Sequence, residues 1–231
     1  MADRLLILHG ALGSAHQFTD IRERISDNGI ATELLEFSGH GDQPDVDGPW
    51  TMDLFVSQLE QFLDDRSWTS ARIFGYSMGG YVAMTLAGRR SDLVGRILTL
   101  GTKLHWSLEG AQAETRMLDA EKIAAKVPHF AQDLARRHGE GHWKTVLQKT
   151  ADMMLDLGAT PRLTPEIMDQ VSCPVRFMLG DRDEMVTLDE TREFQQATPG
   201  SELAVLPGTR HPIEKVRPDL VQWHIQDFLL S

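Results

Sequence analysis

The chain has 231 residues, 41% of them hydrophobic and 25% charged, and a formal net charge of -11. That is enough chain for one large domain, or one domain with an inserted subdomain, and enough apolar material for a core. The acidic balance speaks against a nucleic-acid footprint or an anionic membrane surface, and the single cysteine, Cys173, excludes an intrachain disulfide.

Leu5 to Leu8 reads as a buried strand and breaks at His9-Gly10-Ala11-Leu12-Gly13-Ser14. The run is too short for a secretion signal and no other stretch is long enough to span a bilayer. A soluble, cytoplasmic protein without membrane insertion is the expectation. Phe18, Ile21 and Ile25 then recur at helical spacing up to a stop at Asn28-Gly29. Ile30 to Phe37 looks like a second strand, closed by the turn Ser38-Gly39-His40-Gly41-Asp42. A Pro/Asp/Gly-rich loop leads to a helix from Thr51 to about Asp65, with Thr51 as N-cap and Phe55, Leu59, Phe62 and Leu63 as its apolar stripe.

The next strand, Arg72 to Tyr76, runs into Gly75-Tyr76-Ser77-Met78-Gly79 and continues at helical spacing to about Arg89. A serine at such a strand-to-helix turn is lifted off the sheet with its hydroxyl exposed, and the glycines relieve crowding against the helix. Chance alone supplies a Gly-x-Ser-x-Gly match in roughly one chain of this length in ten, so the turn needs corroboration. Gly95 to Leu100, Cys173 to Gly180 and Glu202 to Leu206 complete the strands, with helices from about Thr187 to Ala197 and from Pro218 to Leu230. Apolar runs alternating with amphipathic helices predict an α/β fold: a doubly wound, parallel sheet of about six strands with helices on both faces. The alternation fails once. Residues 105–170 hold helical patterns (109–126, 130–138, 143–157) and no strand, which predicts a helical lid inserted into a core formed by 1–104 and 171–231.

In a parallel α/β sheet ligands bind at the carboxyl ends of the strands, where the glycine-rich and polar features of this chain collect. Five of these features resemble the α/β-hydrolase superfamily, in its order. They are Leu8-His9-Gly10-Ala11, Ser38-Gly39-His40-Gly41-Asp42, Gly75-Tyr76-Ser77-Met78-Gly79, Leu179-Gly180-Asp181-Arg182-Asp183-Glu184-Met185-Val186 and Gly208-Thr209-Arg210-His211-Pro212. The resemblance implies Ser77 as nucleophile, His211 as general base and then acid, and Asp183 as the acid that orients the imidazole. It implies the backbone N–H groups of Ala11 and Met78 as the oxyanion hole. Asp181 and Glu184 are rival acids, but only Asp183 fits the family's spacing from Gly180 and to Val186. Most members have a β-hairpin before the strand carrying His-Gly; here that strand is expected to begin almost at residue 4, without one. Ser38 also replaces a proline and Glu36 an aspartate around the second glycine turn.

A serine nucleophile implies acyl transfer to water on a small-molecule ester, thioester or lactone, with no cofactor and no metal. The start of the chain also resembles the menaquinone-pathway synthase of the same fold, which uses its triad for an elimination and grips a polyanion with arginines. Tyr81 stands where that enzyme has one of them. A hydrolase-fold binding protein is a third reading. Leu12 and Tyr76 flank the reacting groups, and His105 and Trp106 stand where the lid begins, so all four are expected to line the substrate pocket. Met117, Met153 and Met154 sit at lid positions that could face the cleft, although ordinary core is the favoured role. His138-Gly139-Glu140-Gly141-His142 superficially suggests a metal site, but its glycines break the helix that an i,i+4 pair would need. It reads as a loop between lid helices.

Overall fold

A computed structural model describes residues 4–27 and 29–230, so the expected stop at Asn28 lies outside the described residues. Six strands form one sheet: β1 (Arg4–Leu8), β2 (Ala31–Leu35), β3 (Ala71–Tyr76), β4 (Val94–Leu100), β5 (Val175–Gly180) and β6 (Glu202–Leu206). Their order is β2-β1-β3-β4-β5-β6, and every neighbouring pair is parallel. The continuous apolar runs follow from burial on both faces. Alternate residues of β1 point to opposite sides: Leu6 and Leu8 join a core under α2 (Met52–Asp65) and α3 (Met78–Arg89), Leu5 and Ile7 one under α1 (Thr19–Ser26) and α10 (Pro218–His224). The winding reverses between β1 and β3, which opens a crevice at their carboxyl ends.

Local chemistry sets the helix ends. The Thr51 hydroxyl accepts the Leu54 N–H at 3.1 Å, and Phe55, Leu59 and Leu63 bury the expected stripe of α2. The Thr187 side chain caps α9 (Leu188–Ala197) in the same way. The last helix stops being regular at His224 and continues as a wider π-type turn over Ile225–Leu229. Where α3 leaves the sheet, a Cβ on Gly75 would sit 2.5–2.7 Å from backbone atoms of Gly79 and Gly80, so a larger residue there would push the helix away.

Between β4 and β5 the described residues hold helices only: α4 (Leu108–Thr115), α5 (Ala120–Lys126), α6 (Pro128–His138), α7 (Trp143–Ala159) and α8 (Pro165–Asp169). The single helix expected over 109–126 is two. Asp119 caps α5 by accepting the Lys122 N–H at 3.0 Å, so a new helix starts where periodicity alone would have carried the first one on. Ile123, Ala131, Leu134, Ala135, Trp143 and Leu147 give this insert a small core of its own, while Val146, Met153 and Leu157 of α7 join the main one. The Tyr81 hydroxyl of α3 accepts the N–H groups of Arg162 (3.0 Å) and Leu163 (2.9 Å), tying the exit of the insert to α3. No helix among the described residues is long and apolar enough to cross a membrane.

Candidate active site

β3 ends at Tyr76, and Ser77 takes φ 49° and ψ -116°, a left-handed conformation that a non-glycine residue adopts at a cost of about 1–3 kcal/mol. Its backbone is fixed from three sides. The Ser77 N–H donates to the Leu100 carbonyl at 2.9 Å, and the Ser77 carbonyl accepts from the Thr102 hydroxyl at 3.1 Å and from the Gly80 N–H at 3.0 Å. The loop after β1 comes directly alongside: a Cβ on Gly10 would lie 3.1 Å from the Cβ of Ser77. Met78 opens α3, so its N–H has no intrahelical acceptor and the positive end of the helix dipole faces the serine turn. The Ala11 N–H likewise donates to no acceptor among the described residues.

In the loops after β5 and β6, His211 Nδ1 donates to Asp183 Oδ2 at 2.8 Å. The Asp183 side chain is 2% exposed and that of His211 10%. The other carboxylate oxygen, Oδ1, accepts the N–H groups of Met185 and Val186, both at 2.9 Å. Gly101, at φ +59°, makes the room: a Cβ there would sit 3.1 Å from Asp183 Oδ2 and 3.2 Å from His211 Nδ1. The two rival acids are engaged elsewhere. Asp181 accepts the Thr209 N–H at 3.0 Å and Glu184 pairs with Arg210 at the surface.

Ser77 opens into a small cavity of about 40 Å³. Ala11, Met78 and Trp106 line it, as do Met153 and Met154 from α7. Met52, Tyr81, Lys103 and Leu157 complete the wall. The three other pocket candidates stand apart from it. Leu12 lies in its loop at φ 57° with its carbonyl turned to α6. Tyr76 is buried beside the imidazole, ring centroids 5.6 Å apart, and its hydroxyl donates to the His211 carbonyl at 2.9 Å. His105 is exposed, and its N–H donates to Glu190. Lys103 is the charged member of the lining, 3.4 Å from Glu114 of α4.

The model of the serine aminopeptidase S33 family matches residues 2–215. The chain belongs to that family, and its fold is that of the α/β hydrolases. Among curated relatives, the sn-1-specific diacylglycerol lipase ABHD11 of Danio rerio is 23% identical over 93% of this chain and 74% of its own length. A Bacillus subtilis (strain 168) protein provisionally named 2-succinyl-6-hydroxy-2,4-cyclohexadiene-1-carboxylate synthase is 25% identical over 100% and 91%. The solved enol-lactonase of Burkholderia xenovorans LB400 superposes with a TM-score of 0.78 at 17% identity, covering 100% of this chain and 92% of that one.

This S33-family member carries a second buried polar cluster beside the glycine loops. His9 donates from Nδ1 to the Gly10 carbonyl (2.8 Å) and accepts the Phe37 N–H at Nε2 (3.1 Å). His40 stacks on Trp50, 4.6 Å between centroids, and donates to the Ser38 carbonyl. From the insert, His138 donates from Nε2 to the Leu12 carbonyl (3.0 Å) and accepts the Gly41 N–H at Nδ1 (3.0 Å). His142 donates to the Gly39 carbonyl at 3.1 Å. The first three are neutral imidazoles. Burial lowers His9 and His138 to about 4 and holds His40 well below the ordinary 6.5. Burial pushes the neighbouring Glu36 the other way, to about 7.

The signs give an acid limit to stability. A histidine whose folded value is depressed contributes stability that is complete above 6.5 and lost as pH falls toward 4. Glu36, raised in the fold, contributes stability complete below 4.5 and lost as pH rises through 7. Three histidines outweigh one carboxyl, so the unfolding free energy is expected to fall by several kcal/mol between pH 7 and pH 4. Each tenfold difference in a group's proton affinity between the folded and unfolded chain is worth on the order of 1.4 kcal/mol. Urea midpoints measured across that window check it, and a midpoint unchanged at pH 4 contradicts the assignment.

Proposed function

We propose that the chain is a serine hydrolase that cleaves a carboxylic ester, thioester or lactone through an acyl-enzyme on Ser77. One pair of observations carries the reading: a buried Asp183 locked onto His211, and a strained serine turn that opens into a largely apolar cavity. In this reading His211 takes the Ser77 proton as the hydroxyl attacks the carbonyl carbon, then returns it to the leaving alcohol. Asp183 fixes the Nδ1–H tautomer and stabilises the imidazolium. The N–H groups of Ala11 and Met78 meet the tetrahedral oxyanion, a contribution of about 10²–10³-fold per donor. Water activated by the same imidazole then releases the acid.

The insert, residues 105–170, serves as a lid over the core formed by 1–104 and 171–231, and α7 supplies the acyl wall. Met153, Met154 and Leu157 accept an apolar acyl group without specific polar demands. An ester is favoured over an N-terminal peptide, because aminopeptide cleavage needs a carboxylate to hold the substrate's ammonium. The lining offers Lys103 and no acid. The elimination suggested by the synthase relative needs a cationic grip on a polyanion, and here a single ammonium is already paired with Glu114.

An alkyl p-nitrophenyl phosphonate is expected to label one site per chain, at Ser77, and to block turnover of p-nitrophenyl esters of short acyl chains. Absence of labelling together with absence of ester turnover would sink the hydrolase reading.

A further inference from the structure

The histidine motif at the end of α6 is not consumed by the proposed chemistry, yet it reaches the oxyanion loop. Two groups from the insert converge on one carbonyl there. Arg137 Nη1 donates to the Leu12 oxygen at 2.6 Å and His138 Nε2 donates to the same oxygen at 3.0 Å. Leu12 is one of the few non-glycine residues at positive φ, so this carbonyl is held in a conformation the backbone would not choose alone.

Peptide planarity carries the consequence inward. In a trans peptide the C=O and the following N–H point in opposite directions. The Leu12 carbonyl drawn toward α6 therefore turns the Gly13 N–H the other way, where it donates to the Gly10 carbonyl at 3.0 Å. That carbonyl also accepts from His9 Nδ1 at 2.8 Å. With the Gly10 oxygen held by two donors, the N–H of the same peptide unit, that of Ala11, must point away from them. Two planar units thus relay the grip of the insert to the proposed oxyanion donor. Arg137 is itself braced, since its Nη2 donates to Glu214 at 3.0 Å, and His138 is braced through Nδ1 by the Gly41 N–H.

We infer that Arg137 and His138 are positioning residues for the Ala11 N–H, so that the oxyanion hole is complete only while α6 is docked on the first glycine loop. The insert then does more than cover the cavity. Undocking it would leave Ser77, His211 and Asp183 in place, because their contacts run within the core, but would release the peptide that aims Ala11. The inference rests on the proposed hydrolase reading.

The test compares the parent with Arg137→Met/His138→Ala and with His138→Gln, each normalised to the fraction of sites titrated by the phosphonate. The double variant is expected to lose tenfold to a hundredfold in kcat per titrated site, with KM within twofold. The Ki of a trifluoromethyl ketone, whose adduct carries the oxyanion, should rise by the same factor. His138→Gln keeps an amide donor for the Leu12 carbonyl and should stay within about threefold of the parent. A purely structural role would lower the titratable fraction and leave the per-site kcat unchanged, which overturns the inference. A raised KM with unaltered ketone affinity overturns it too. Failure of the parent to be labelled at all is a different outcome, since it removes the hydrolase reading and the inference with it.

Discussion

Ser77→Gly is expected to abolish ester turnover, by about 10⁶-fold in kcat, and at the same time to stabilise the fold. The two effects have separate origins. Loss of the hydroxyl removes the nucleophile. Loss of the Cβ removes the penalty of holding a side chain at φ 49°, worth about 1–3 kcal/mol, against which glycine adds about 0.5–1 kcal/mol of backbone entropy in the unfolded chain. The difference is a gain of up to about 2.5 kcal/mol. The backbone cannot relax to escape the strain, because Leu100, Thr102 and Gly80 hold the Ser77 amide and carbonyl in place. Ser77→Ala supplies the control: it is equally inactive but keeps the Cβ, so its urea midpoint should match the parent. A glycine variant less stable than the alanine variant would mean that the turn is not strained.

The sheet was legible because its strands are buried on both faces, and continuous apolar runs such as Leu5–Leu8 and Phe177–Leu179 have few other uses in a parallel α/β chain. The serine turn was legible for a steric reason: few residues other than glycine fit where Gly75 meets the backbone of α3. The cavity wall was less so. Met52 and Tyr81 reach it from helices whose periodicity announces only a buried face, and Lys103 sits in a loop with no pattern of its own. Leu12, Tyr76 and His105 show the converse, since adjacency in sequence to a reacting group does not set the direction of a side chain. Tyr76 turns into the core on the α1 and α10 side of the sheet and packs beside His211. His138 and His142 were hidden for another reason. Their partners are backbone groups of Leu12, Gly39 and Gly41, which leave no side-chain signature to read.

Two halves of the candidate site thus answer to different parts of the chain. Asp183, His211 and Ser77 are fixed by loops at the ends of β3, β5 and β6, whereas the Met153, Met154 and Leu157 side of the cavity and the grip on the first glycine loop come from the insert. Changes in α7 should alter acyl preference with little effect on the rate of labelling by a small phosphonate. Changes in the acid loop should do the reverse.

Asp183→Asn makes the sharpest case of the second kind. The Asp183 Oδ1 accepts two backbone N–H groups, from Met185 and Val186, and an asparagine there must offer its carbonyl oxygen to them. Its NH₂ group is then left facing His211 Nδ1, which in the parent donates to Oδ2. A donor opposite a donor is untenable, so the imidazole must shift its proton to Nε2 and present a lone pair at Nδ1. In that tautomer Nε2 has no lone pair for the Ser77 proton. Turnover is expected to fall about 10⁴-fold, with KM little changed, while the urea midpoint moves little, because the amide can still bond to each partner of the carboxylate. Asp181→Asn and Glu184→Gln, whose partners are Thr209 and Arg210, should leave kcat within a few-fold of the parent. A loss in either of those variants comparable to that of Asp183→Asn would reassign the acid.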